Sequence, residues 1–124
     1  MAGTIVASTL SDGTNSTSTT NCIIGSAKAW VQFAGSTGTI AGSFNVSSVT
    51  RASAGTYTIN YTTAMSNANY AVSFGAGNAS GGVGVPRAQA IGSISTTQLQ
   101  FINAQASNNT LLDDAITSAV VFSS

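Results

Sequence analysis

Two stretches alternate apolar and polar residues so regularly that a pleated strand is the regular structure that suits them. In Ala27–Phe33, Ala29, Val31 and Phe33 fall on one side while Lys28, Trp30 and Gln32 fall on the other. In residues 56–62, Tyr57, Ile59 and Tyr61 oppose Thr56, Thr58, Asn60 and Thr62. Side chains repeat every two residues along a strand but every 3.6 along a helix. No window of the chain places apolar residues at the i, i+3, i+4, i+7 spacing, so helix is expected to be minor. The first stretch holds the single Trp and is expected to be the central strand of a β domain. Trp30 sits on the nominally polar face, where it must either cover a second sheet or meet another chain.

The remainder of the chain supports the same class. Residues 3–10, with Ile5 and Val6, read as a short strand; residues 11–20 are a polar run with turn chemistry at Asp12-Gly13, read as a loop or an extended arm. Residues 21–24 regain apolar character before Gly25-Ser26 break it. After the central strand come a turn at residues 35–38, a short apolar stretch at 39–41, and Phe44, Val46 and Val49 before residues 51–55 turn the chain. Tyr70, Val72 and Phe74 share one strand face, and residues 75–84 read as a long Gly-rich loop closed by Pro86. Residues 88–94 and 99–102 are further strands. Ile116, Ser118, Val120 and Phe122 alternate with Thr117, Ala119 and Val121 in a closing strand. Seven to nine short strands at this spacing predict an all-β fold, an antiparallel β-sandwich or barrel-like domain of jelly-roll type. The boundaries expected are an N-terminal arm at 1–26 and a head domain at 27–124.

Charge narrows the function. Only 5% of the 124 residues are charged and the net charge is zero, against about 25% charged residues in ordinary domains. Three scattered basic residues, Lys28, Arg51 and Arg87, cannot build the cationic patch that nucleic acid requires, so no nucleic-acid partner is expected. No stretch approaches a bilayer-spanning apolar run, so no membrane partner is expected either. With 43% hydrophobic residues the chain should fold, and its polar but uncharged surface favours association.

Few residues could carry chemistry. There is no His, which removes Ser-His-Asp and Cys-His activation and the commonest metal ligand. The three acidic residues are all Asp, and Asp113-Asp114 would point to opposite faces if extended; the plain reading of that pair is a solvated turn, ahead of cation binding or a glycosidase pair. Cys22 is alone, so it forms no intrachain disulfide or thiolate zinc site and is expected to be a part-buried apolar residue. No catalytic residue, cofactor or metal site is expected. Trp30, Tyr57, Tyr61 and Tyr70 could form a sugar-binding platform, with core or subunit packing the stronger reading. A Thr/Ser-rich solenoid would need a fixed short repeat, and none is present.

One segment resembles a known module. Lys28-Ala29-Trp30-Val31-Gln32-Phe33, Thr37-Gly38-Thr39, Ser43-Phe44-Asn45-Val46-Ser47-Ser48, Gly55-Thr56-Tyr57-Thr58-Ile59-Asn60-Tyr61 and Thr63-Ala64-Met65-Ser66-Asn67-Ala68-Asn69-Tyr70 follow one another in order. Together they are similar to a module of tail-fibre and other virion surface proteins of bacteriophages. That module reads Lys-Ala-Trp-Val-Asn-Phe, a Gly-Thr-Gly turn, Ser-Phe-Asn-Val-Ser-Ser, Gly-x-Tyr-Thr-Val-Asn-Phe and Thr-x-Ala-Met-x-x-Ala-Asn-Tyr. The departures are Gln32 for Asn, Tyr61 for Phe, Ser66 where Pro is common, and Arg51-Ala52-Ser53 in a turn that is often acidic.

The resemblance implies a non-enzymatic β domain on a virion surface, usually a homotrimer. With residues 1–26 ahead of the module, no fibre shaft is expected. The expected role is therefore a capsid decoration (cement) protein or short head fibre on the outer capsid surface, with a tail-fibre tip or receptor-binding adhesin as the alternative. The expected partners are further copies of the chain and the major capsid protein or another virion protein, with a host surface glycan as a further class; the expected location is the virion, after synthesis in the host cytoplasm. The residues expected at subunit or capsid contacts are Ile5, Val6, Leu10, Cys22, Ile23, Trp30, Tyr61 and Tyr70. The arm would anchor by adding a strand to a neighbour or to the shell.

Overall fold

A computed structural model describes residues 3–77 and 87–124. Most of the expected Gly-rich loop, including Pro86, lies outside the described residues. The rest is ten strands and one seven-residue helix, so the all-β sandwich expectation is borne out.

In the arm, β1 (Thr9–Ser11) and β2 (Ser16–Ser18) form a small hairpin, followed by α1 (Thr19–Gly25). Asp12 makes the hairpin turn, its Oδ1 accepting from the amides of Thr14 and Asn15 at 2.9 and 2.7 Å. Ser18 caps the helix by accepting from the Asn21 amide at 3.1 Å, which satisfies one of the first-turn donors. The short strand expected over residues 3–10 is confined to its end, since residues 3–7 form no strand, and a capped helical turn occupies the stretch that carries Cys22 and Ile23.

The body is two four-stranded antiparallel sheets. The first has the order β4-β3-β10-β7, from β3 (Ala27–Phe33), β4 (Ile40–Phe44), β7 (Ala71–Gly77) and β10 (Ile116–Phe122). The second has the order β5-β6-β9-β8, from β5 (Val46–Ser53), β6 (Thr56–Tyr61), β8 (Arg87–Ile94) and β9 (Gln98–Gln105). The pairs β3-β4, β5-β6 and β8-β9 are neighbours in both sequence and sheet, and the closing strand β10 inserts between β3 and β7.

Alternation decides what is buried. Ala29, Val31 and Phe33 of β3 face Tyr57, Ile59 and Tyr61 of β6 across the core, with Leu99 and Phe101 of β9 and Ala119 and Val121 of β10. At one end Tyr57 lies between Phe33 (centroids 5.0 Å) and Phe101 (5.4 Å), and Phe74 stacks on Phe101 at 4.6 Å. At the other end Tyr61 and Tyr70 meet edge to face at 6.0 Å. Such aromatic pairs add about 0.5–1.5 kcal/mol each beyond the area they bury.

The chain changes sheet at Asn45, between β4 and β5. Asn45 takes a left-handed φ of 55°, its Nδ2 donates to the carbonyls of Lys28 and Thr63 at 3.1 Å each, and its Oδ1 accepts from the Thr63 amide at 2.7 Å. Asn tolerates that backbone region better than other non-glycine residues, and here its amide also bridges β3 to the segment after β6.

Candidate functional site

Two clusters could carry function: the acidic pair before the last strand, and an apolar surface around Trp30.

The acidic pair is structural. Asp113 accepts from Arg51 Nη2 at 2.6 Å and Nε at 3.0 Å, from the Tyr57 hydroxyl at 2.7 Å and from the Gly55 amide at 2.9 Å. Asp114 accepts from Arg87 Nη2 at 2.6 Å and Nε at 2.7 Å and from Asn103 Nδ2 at 2.8 Å, with only 2% of its side chain exposed. The two carboxylates point to different partners, as alternation requires, yet they do not form the solvated turn expected. Asn103, fully buried, anchors the Asp114 side: its Nδ2 also donates to the Leu112 carbonyl at 3.0 Å, and its Oδ1 accepts from Gln89 Nε2 at 3.1 Å.

The electrostatics follow from these contacts. The hydrogen bonds from Arg51, reinforced by Gly55 and Tyr57, outweigh burial and hold the Asp113 carboxyl at about 2. The hydrogen bonds from Arg87, helped by Asn103, likewise hold Asp114 below the usual carboxylate range. Burial, then the bond to Asp113, pushes the Tyr57 hydroxyl up. Both carboxylates are thus held as acceptor ions by paired cations. General acid catalysis needs the opposite shift, a carboxyl raised toward neutrality. Among the described residues no group of three or more His, Cys, Asp or Glu side chains converges, and no helix is long and apolar enough to cross a membrane.

Two glycines permit the clasp. Gly55 has a φ of 65°, and a Cβ there would lie 2.3 Å from the Asn103 carbonyl oxygen. A Cβ at Gly35 would lie 2.6 Å from both the Asp114 carbonyl oxygen and the Tyr57 hydroxyl.

The second cluster is the outer face of the first sheet. Register places Phe44, Trp30 and Val120 side by side on β4, β3 and β10, with Phe122 two residues beyond Val120 on the same face. Trp30 is 42% exposed, Phe44 55% and Phe122 39%. The indole lies over Gly42, within van der Waals reach of where a Cβ would stand. Lys28 is the single charged side chain on these four strands. It is tied back to the arm by donating to the Ile23 carbonyl and, at 2.9 Å, to Ser26 Oγ.

The second sheet differs. Its outer face pairs Thr50 with Thr58 and Thr58 with Gln100, and Ser48 with Asn60 and Asn60 with Gln98. An antiparallel sheet commonly keeps one face dry and one wet, which the second sheet does and the first does not.

The residues expected at contacts separate into two groups. Ile5, Val6, Leu10 and Ile23 are exposed in the arm, Cys22 is half-buried there, and Trp30 is on the open sheet face. Tyr61 and Tyr70 are core residues, 8% and 7% exposed, and this corrects their placement at a contact. Each falls on the inward side of its alternation, and the Tyr70 hydroxyl is used internally, donating to the Ser95 and Gln98 carbonyls at 3.0 and 3.1 Å. With Tyr57 also buried, the four rings considered as a sugar platform do not share a surface. Sequence reasoning missed Phe44 and Phe122 as partners of Trp30, and their signal was present: each continues the face opposite the buried alternation.

Comparison of the chain with protein-family models, with curated proteins and with solved structures finds no match.

Proposed function

We propose that the protein is a non-enzymatic bacteriophage virion component, a homotrimeric decoration protein or short head fibre bound on the outside of the capsid. The observation that carries this reading is the contrast between the two outer sheet faces. One carries Thr50, Thr58, Asn60, Gln98 and Gln100 beside Ile102, and the other presents Trp30, Phe44, Val120 and Phe122 with Lys28, Gln32 and Ser118 among them. Contiguous apolar surface of this kind marks a protein contact.

The setting comes from the resemblance of residues 28–70 to phage surface modules, and that segment supplies β3 to β6 and the core aromatics Phe33, Tyr57, Tyr61 and Tyr70. The use of the charged side chains supports a structural role as well. Four of the six, Arg51, Arg87, Asp113 and Asp114, are paired with one another.

Mass spectrometry of purified tailless heads from the phage that encodes the chain tests the proposal. The expected result is its presence at a copy number set by capsid symmetry sites. Absence from heads, with recovery in tails and adsorption of the purified protein to host cells, would overturn the head assignment in favour of a tail-fibre tip. A chain found in neither would end the virion reading.

A further inference from the structure

The arm is as poorly covered as the Trp30 face. No residue from 3 to 26 is buried, and the packing of β1, β2 and α1 is chiefly on one another. Of the eleven large hydrophobic residues exposed among the described residues, nine lie in two places. Ile5, Val6, Leu10, Ile23 and Ile24 are on the arm, and Trp30, Phe44, Ile116 and Phe122 are on the outer face of the first sheet. Ile5 and Val6 are 91% and 94% exposed, which a solvated monomer has no reason to maintain at adjacent positions.

We infer that the arm of one copy lies across the Trp30 face of the next copy. Three observations favour a second copy as the occupant. First, the two uncovered surfaces lie on different parts of the chain, so a contact between them is head-to-tail and can repeat from copy to copy, making a ring where the rotation closes. Second, the side-chain charges are opposite and single: Asp12 is the one charged side chain of the arm and Lys28 the one on the sheet, where Lys28 also donates to its own Ile23 carbonyl and Ser26 Oγ. Third, the arm has enough apolar surface to cover the face. Taking roughly 150–250 Å² for a large side chain, the exposed fractions give the sheet face roughly 350 Å² of apolar surface and the arm about twice that. Together these supply much of the apolar area in a standard interface of about 1,600 Å² in total. Arm residues Ile5, Val6, Leu10 and Ile23 border a groove of about 390 Å³ that could receive the projecting rings of Trp30 and Phe44.

The inference rests on the self-association in the proposed function, but its test needs no capsid. A chain absent from heads that still exchanges arms leaves it standing, and a capsid-bound monomer overturns it alone. Sedimentation of the full chain and emission of its single Trp are read together. The expected result is a closed oligomer with blue-shifted Trp30 emission. The arm variant Val6→Asp/Ile23→Asp changes exposed positions and keeps the body folded by circular dichroism. It should weaken association at least about 30-fold and red-shift Trp30, which lies on a different element.

A face variant, Trp30→Ser/Phe44→Glu, should also be monomeric. Mixed in equal amounts, the two variants have one intact face and one intact arm between them. They should form a dimer and no more, with blue-shifted emission from the arm variant's Trp30. A wild-type monomer at high concentration, an oligomer indifferent to the arm variant, or a mixture that stays monomeric would each overturn the inference. So would a monomer whose Trp30 red-shifts in the arm variant, because the arm then covers its own sheet.

Discussion

Replacing Asp114 by Ala is expected to cost about 3 kcal/mol. Its carboxylate is 2% exposed and takes three hydrogen bonds, two from Arg87 and one from Asn103. Removing one partner of a buried ion pair costs about 3–5 kcal/mol, because the other charge stays desolvated and uncompensated. The low end applies here: 18% of the Arg87 side chain is exposed and can turn partly to water, and Asn103 keeps its bond to Leu112. Against a total stability of about 5–15 kcal/mol that loss is large, and it corresponds to a drop of about 10 °C in Tm.

The assay is urea denaturation across pH, on wild type, Asp114→Ala and Asp113→Asn. Both aspartates titrate lower in the fold than in the unfolded chain, so their stabilisation is fully present above about pH 4 and is lost on acidification below that, for Asp113 as pH falls through about 2. For Asp113, moving from 3.8 to about 2 corresponds to about 2 kcal/mol of stability, with 17% of its side chain exposed. Each variant should flatten the acid limb of the wild-type curve. An Asp114→Ala protein within 1 kcal/mol of wild type, or an acid limb unchanged in both variants, would refute the reasoning.

Other expectations follow from single residues. Thr117 is fully buried and its hydroxyl has no hydrogen-bond partner among the described residues, so Thr117→Val should stabilise by about 1 kcal/mol in the same denaturation series. Gly55→Ala should be severely destabilising, by about 3 kcal/mol or more, since φ is 65° and the new Cβ would meet the Asn103 carbonyl oxygen at 2.3 Å; loss of soluble, cooperatively melting protein is the readout. Asn45→Ala removes three hydrogen bonds at the sheet crossover and strains a left-handed residue, at about 2 kcal/mol, whereas Asn45→Gly should recover the backbone part of that loss.

The sheets were legible because their signal is local. Ala29, Val31, Phe33, Tyr57, Ile59 and Leu99 announce the core by period two alone, and burial of one face enforces the register. The strand order was not legible, since nothing local says that β10 should enter between β3 and β7. Nor was the clasp: Arg51 and Asp113 are 62 residues apart, and a buried Asn103 reads on paper as one more polar loop residue. Tyr61 and Tyr70 were misplaced because an aromatic ring in a strand is compatible with either face, and their partners sit on different sheets. The helical turn at Thr19–Gly25 is too short to leave a periodic trace, and its cap at Ser18 was hidden in a run of Ser and Thr.

The clasp also leaves the rest of the surface nearly without ions. With Arg51, Arg87, Asp113 and Asp114 neutralising one another at one end, only Lys28 and Asp12 remain to be felt elsewhere. Dissolved electrolyte therefore has little to screen, and attachment through the apolar faces should persist from dilute buffer to brine, tightening in sulfate. An assembly held together by such faces would be largely indifferent to the salinity of the water around it.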